Sequence, residues 1–264
     1  MPAFEKNKSS LKLEATEYPD FIAKFYDLIY HQVRDGVDNQ FYLDRIKETK
    51  GRVLEAGSGT GRLFIRALES GADIYGIDIS PSMLDILKSK LRKKDQHRVS
   101  LRSITDFQFD QPFELIVAPF RVFMHLLTKE DQTKALKNVR RHLNSGGKFI
   151  FDVFVPDLNY LIKGIDNVTD FEGEYKPGRK IKRIVNTTPD LINQTIDITF
   201  RYEWEDDDSL ICKEWKSMLR FFFRYELEHL VERAGFSEFS ILGDFEGHLL
   251  GKDSKEFIMV CKKN

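Results

Sequence analysis

Between about residues 50 and 155, short apolar runs alternate with amphipathic segments. The runs fall at 52–56, 73–78, 99–103, 113–118 and 148–155, while 62–68, 82–91 and 130–143 carry apolar residues three and four apart. Continuous apolar runs suit strands covered on both faces, and the helical spacing suits segments that lay one face on a sheet. The pattern therefore predicts βα units around a parallel sheet. Thr128 with Asp131 marks a helix start, and Asn144-Ser145-Gly146-Gly147 a stop. Upstream, 20–34 and 37–47 read as two more helices separated by Asp35-Gly36, which cap the sheet rather than join it.

After residue 165 the period becomes two. Ile196, Ile198, Phe200, Tyr202 and Trp204 alternate with Thr195, Asp197, Thr199, Arg201 and Glu203, the mark of an antiparallel strand with one buried and one wet face. Flanking runs at 180–188, turned by Pro189-Asp190, and 210–221, turned by Asp206-Asp207-Asp208-Ser209, extend this to an antiparallel insertion of three or four strands over 168–221. Residues 224–234 return to helical spacing, stopped by Gly235, and 239–242 and 256–261 read as strands. The expected organisation is a flexible arm over 1–19, one α/β domain built from 20–167 and 222–264, and the insertion between them.

Composition narrows the class. With 264 residues, 41% hydrophobic and 31% charged, the chain can bury a full core, which excludes bulk disorder. Lys plus Arg is 41 against 42 Asp plus Glu, so no overall charge draws it to nucleic acid or an anionic membrane, and neither is expected as a partner. The basic run from Lys88 to Arg98 reads as a solvated face. Cys212 and Cys261 allow at most one bridge, which fits a reducing compartment. No apolar run approaches the roughly 20 residues that span a bilayer, and residues 1–16 lack the apolar core of a secretory signal. A cytoplasmic location is expected.

The most informative segment is Val53-Leu54-Glu55-Ala56-Gly57-Ser58-Gly59-Thr60-Gly61-Arg62, a buried strand running into a glycine turn. Glycines admit positive φ and let a ligand approach the backbone. A dinucleotide loop wants G-x-G-x-x-G, but the third glycine position holds Arg62, and Glu55 two places before the first glycine suits a cationic ligand group better than a pyrophosphate. The next strand ends at Asp78, where a carboxylate can accept both hydroxyls of a ribose. The third ends near Asp106-Phe107, an acid for an amino group and an aromatic for a purine face. Together they outline a nucleoside site with no place for phosphate.

These motifs resemble the class I S-adenosylmethionine-dependent methyltransferases over roughly residues 20–160 plus the closing strands. The resemblance implies a Rossmann-like α/β fold: a seven-stranded, mostly parallel sheet with the last strand, 256–261, reversed, and helices on both faces. It implies that S-adenosyl-L-methionine is the cofactor and S-adenosyl-L-homocysteine the product. Glu55, Gly57, Gly59 and Gly61 would border its methionine portion. Asp78 would hold the ribose, Ile79 and Met83 flank adenine, Asp106 and Phe107 address its rim, and Ser58, Arg62 and Ala118 complete the cofactor-binding set.

The acceptor is narrowed by elimination and by likeness. The strand-four edge, Val117-Ala118-Pro119-Phe120-Arg121, lacks the Asn/Asp-Pro-Pro-aromatic tetrad of base methylation, and Ala118 replaces the first carboxylate a divalent ion needs, leaving only Asp152 nearby. No metal is expected, and His31, His97, His142, His229 and His248 show no ligand spacing. Phe25-Tyr26-Asp27-Leu28-Ile29-Tyr30 resembles the segment that small-molecule N-methyltransferases fold over the cofactor, and 120–127 with His125 resembles the loop after strand four in sugar and glycine-type N-methyltransferases. The resemblance makes Tyr26 and His125 the catalytic candidates, each either accepting the proton of an amine or orienting it. The expected partner is a small polar methyl acceptor, with the insertion as its lid or as a homodimer surface. A nicotinamide oxidoreductase and a catalytically silent cofactor-binding protein stand as rival readings.

Overall fold

The computed structural model describes residues 18–33, 36–206 and 209–264. The arm expected over 1–19 therefore lies outside the described residues except for Tyr18 and Pro19. Helices α1 (Asp20–Val33) and α2 (Val37–Glu48) precede strand β1 (Val53–Ala56). There follow α3 (Phe64–Glu69), β2 (Ile74–Asp78), α4 (Pro81–Lys90), β3 (Val99–Leu101), β4 (Phe113–Ala118), α5 (Lys129–His142) and β5 (Leu143–Phe154), β3 and β4 being joined without a helix. Helix α6 (Leu158–Lys163) leads into β6 (Ile165–Lys176), β7 (Arg179–Asp190), β8 (Thr195–Asp206) and β9 (Ser209–Arg220). Helix α7 (Arg224–Arg233), β10 (Glu238–Leu242) and β11 (Glu256–Lys262) follow.

Seven strands form one sheet in the order β10-β11-β5-β4-β1-β2-β3, and β11 runs antiparallel to both β5 and β10. The chain thus starts in the middle, steps outward to β3, and returns to lay β4 against β1. Connections leaving β1 and β4 diverge, opening a crevice at their carboxyl ends. Residues of β1 alternate between two cores: Leu54 and Ala56 join α5 and α7, while Val53 joins α2, α3 and α4. Burial on both faces is why that strand reads as an unbroken apolar run.

Strands β6 to β9 form a separate four-stranded antiparallel sheet. Tyr202, Trp204 and Trp215 of its apolar face pack on Ile22, Phe25 and Ile29 of α1, so the insertion and the leading helix share a third core. The turn between β7 and β8 lies later than the sequence suggests. Pro189 and Asp190 stay in the ladder opposite Ile196 and Thr195, and the turn begins where the Asp190 carboxylate accepts the N–H groups of Ile192 and Asn193. Helix α5 stops at His142, just before 144–147, and β5 begins at Leu143, with Gly146 and Gly147 bonded backbone to backbone to Lys263 within the strand. No helix among the described residues is long and apolar enough to cross a membrane.

Candidate active site

The glycine loop leaves β1 with Gly57, Gly59 and Gly61 at φ 80°, 51° and 92°. The Gly57 and Ser58 N–H groups donate to the Ile77 carbonyl at 2.7 and 3.0 Å, pinning the loop to β2. The Asp78 carboxylate holds it from above: Oδ2 accepts Gly59 N–H and Oδ1 accepts Ser80 N–H, each at 2.8 Å. Ser80 in turn caps α4, with its hydroxyl accepting Met83 N–H and Pro81 opening the helix. Asp27 of α1 reaches across, accepting the Thr60 hydroxyl and the Lys90 ammonium, while Lys90 also donates to the Thr60 carbonyl at 2.9 Å.

A cavity of about 650 Å³ occupies the crevice between the β1 and β4 connections. Of the residues singled out from sequence, Tyr26, Gly57, Gly59, Asp78, Ile79, Met83, Asp106 and His125 line it. Others stand behind the wall. Glu55 is 1% exposed, Gly61 backs onto Leu87, and Arg62 lies over the Phe120 ring at 4.8 Å. Ser58 and Ala118 are buried, and Phe107 is turned into the core, its ring 4.5 Å from that of His142, rather than onto the cavity.

Phe120 and Val122 of the loop singled out after strand four also line the cavity, and the wall further contains residues that sequence reasoning missed: Tyr18, Arg102, Ser103, Thr105 and Asp131. The crevice rule could have found Ser103 and Thr105, which follow the carboxyl end of β3. Tyr18 carried no such signal. Its hydroxyl lies 3.4 Å from His125 Nε2, and its ring centroid is 4.5 Å from that of Trp215 in β9.

Burial sets the electrostatics. The Glu55 carboxyl is pushed well above the carboxylate range by burial and by Asp78, with Arg62 opposing, and its Oε2 has no hydrogen-bond partner. Asp78 is raised by burial, against the hydrogen bonds from Ser80, Gly59 and Ile79 that lower it. Burial alone depresses His125 to about 4, so its imidazole is neutral at ordinary pH. Burial, then the neighbouring Tyr26 and Tyr30, keep the Tyr18 phenol un-ionised.

A family profile described as a methyltransferase domain matches residues 53–147. The chain is 27% identical over 251 residues to the glycine/sarcosine N-methyltransferase of Aphanothece halophytica, covering 92% of this chain and 88% of that protein. It is 28% identical over 258 residues to the enzyme of that name from Halorhodospira halochloris, covering 94% and 89%. Among solved structures, an S-adenosylmethionine-dependent methyltransferase from Clostridium acetobutylicum matches with a TM-score of 0.72 at 17% identity, over 92% of this chain and 98% of that one. Residues 53–147 thus carry a methyltransferase domain, and along most of its length the chain is similar to S-adenosylmethionine-dependent methyltransferases. The sugar N-methyltransferase KedS8 from Streptoalloteichus shares the fold along the whole of both chains, with a TM-score of 0.74 at 18% identity.

The residues of this methyltransferase fit the cofactor. A Cβ added at Gly59 would meet nothing within 4 Å, so that backbone is open to a ligand. Behind it Glu55 Oε2 and Ser58 Oγ are buried without partners, the acceptors an ammonium group needs. Glu55 then sets a pH dependence. A cofactor ammonium paired with Glu55 would favour the ionised carboxylate against the burial that raises it, so S-adenosylhomocysteine should bind more tightly as pH rises through the titration of Glu55, with release of a proton. Calorimetry in buffers of different ionisation heat reads that proton, and Glu55→Gln should abolish both effects; an unchanged proton count in Glu55→Gln would remove Glu55 from the site.

Proposed function

We propose that the enzyme transfers a methyl group from S-adenosylmethionine to the nitrogen of a small polar amine. The observation that carries this reading is the neutral imidazole of His125, facing the same cavity as the glycine loop and Asp78, with the Tyr18 hydroxyl at its Nε2. The names of the relatives that align along most of the chain, both N-methyltransferases, support it.

When bound, the cofactor supplies a methyl already activated by a sulfonium, so the protein's task is to bring the amine into line with it. We assign the binding of that cofactor to Gly57, Gly59, Asp78, Ile79, Met83 and Asp106 on the wall, and to Glu55, Ser58, Gly61 and Arg62 as the layer that supports the loop. At the other side, His125 accepts an N–H of the neutral amine and orients its lone pair. A group that titrates near 4 does not hold a proton at neutral pH, so the proton of the product amine leaves to solvent. Tyr18 and Tyr26 narrow the opening, and Trp215 backs Tyr18 from the insertion, which serves as the lid over the acceptor and excludes water.

The test is transfer of labelled methyl to a panel of primary and secondary amines, with calorimetry of S-adenosylhomocysteine and of NAD alongside. N-methylated product and binding of the former alone are expected; binding of NAD instead, or labelled product only on oxygen or carbon, would refute the reading. His125→Ala should lower kcat/KM for the amine about tenfold or more with S-adenosylhomocysteine affinity changed less than threefold. The wild-type pH profile should follow the pKa of the amine with no histidine inflection between about 5.5 and 7.5. A profile that bends there and straightens in His125→Ala would make His125 a general base instead.

A further inference from the structure

After β4 the chain makes a turn in which two consecutive residues, Phe120 and Arg121, sit in the left-handed region at φ 59° and 66°. A side chain with a Cβ is strained there, and such a pair persists only where surrounding contacts hold it. The holding group is Asp152, near the carboxyl end of β5 and 0% exposed. Its Oδ2 accepts the Arg121 N–H at 3.1 Å, and its Oδ1 accepts the Tyr42 hydroxyl of α2 at 2.6 Å. The Arg121 guanidinium is pinned at 2.9 Å to Glu256 at the start of β11.

What the turn presents is the acceptor side of the cavity. Phe120 enters the wall under Arg62, and Val122 fills the place where a Cβ of Gly57 would stand, 2.3 Å from its Cγ2. The single turn of 3-10 helix that follows, Val122–His125, ends in His125. Asp152 itself does not reach the cavity. A carboxylate is costly to bury, and an apolar side chain would fill the same volume, so its bonds to the Arg121 N–H and the Tyr42 hydroxyl point to a role for the charge.

We propose that Asp152 is a positioning residue for methyl transfer: by locking the Phe120-Arg121 turn against Tyr42 it sets where Phe120 and His125 stand relative to the glycine loop. The proposal rests on the cavity being the transfer site. Asp152→Asn keeps an oxygen for the Arg121 N–H and a donor for the Tyr42 hydroxyl, whereas Asp152→Ala leaves both without a partner.

The experiment uses full-length protein with histidine rings labelled in 13C, saturated with S-adenosylhomocysteine, the His125 resonance being identified by its loss in His125→Gln. Asp152→Ala should move that resonance and lower kcat/KM at least tenfold for the amine the wild type selects from the panel, while S-adenosylhomocysteine affinity changes less than threefold. Asp152→Asn should restore the resonance and most of the rate. An unmoved resonance with an unchanged rate in Asp152→Ala overturns the proposal, and so does a loss of nucleoside affinity equal to the loss of rate. If Asp152→Ala does not fold, Tyr42→Phe removes one hydrogen bond from the same carboxylate; a shifted resonance and at least threefold lower kcat/KM support the role, and no change in either overturns it. If the wild type methylates no amine, the functional reading fails, and the resonance comparison still decides whether Asp152 positions His125.

Discussion

Asp78→Asn should weaken S-adenosylhomocysteine binding by about 1–3 kcal/mol, roughly five- to 150-fold, while leaving the protein folded. Two losses add. The side chain gives up the charge that two ribose hydroxyls would meet, and it gives up a fixed hydrogen bond from the backbone. Both carboxylate oxygens now face backbone donors, Gly59 N–H and Ser80 N–H, at 2.8 Å. An amide has only one oxygen, so its NH2 must oppose one of those donors, loosening either the glycine loop or the start of α4. Because burial already raises Asp78, part of its charge is lost as pH falls, and wild-type affinity should fall in the same direction. Calorimetry of wild type and variant across pH checks both statements. Affinity within twofold of wild type would place the ribose elsewhere.

Gly57→Ala should cost more and act on the whole site. Alanine at φ 80° carries on the order of 1–2 kcal/mol of backbone strain. Its Cβ would also stand 2.3 Å from Val122 Cγ2, an overlap that either side chain or backbone must relieve, for about 1–3 kcal/mol more. Relief by moving Val122 disturbs the turn that leads to His125, and relief by moving the loop breaks the bonds of Gly57 and Ser58 to Ile77. Methyl transfer should therefore fall by two orders of magnitude or more, with a lower melting temperature. Gly59→Ala is the control for the loop: nothing lies within 4 Å of its Cβ position, so it should melt closer to wild type and yet lose nucleoside affinity where the backbone must stay open. If Gly57→Ala keeps wild-type turnover, the contact between loop and turn does not matter to catalysis.

The parts legible in the sequence are those whose physical cause is local. An unbroken apolar run marks β1 because both faces of that strand are covered, and a period of two marks β8 because only one face is. The glycines at 57, 59 and 61 declare positive φ by having no Cβ, and Asp78 sits at a fixed distance from them along a strand and a helix. So the parallel strands and the insertion were foreseeable from the hydrophobic pattern, and the glycine loop with Asp78 beside it from their spacing. Tertiary structure alone decided which residues gather around His125. Tyr18 and His125 meet across 107 residues, and Tyr42 and Asp152 across 110, while nothing in Pro119-Phe120-Arg121 announces two left-handed residues without glycine. Phe107 shows the converse: spacing put it at the edge of a purine, but a large apolar ring gains more from the core beside His142 than from a cavity wall. Short-range rules act on neighbours in sequence, and these contacts come into being only once the strand order has brought β1, β4 and β5 side by side.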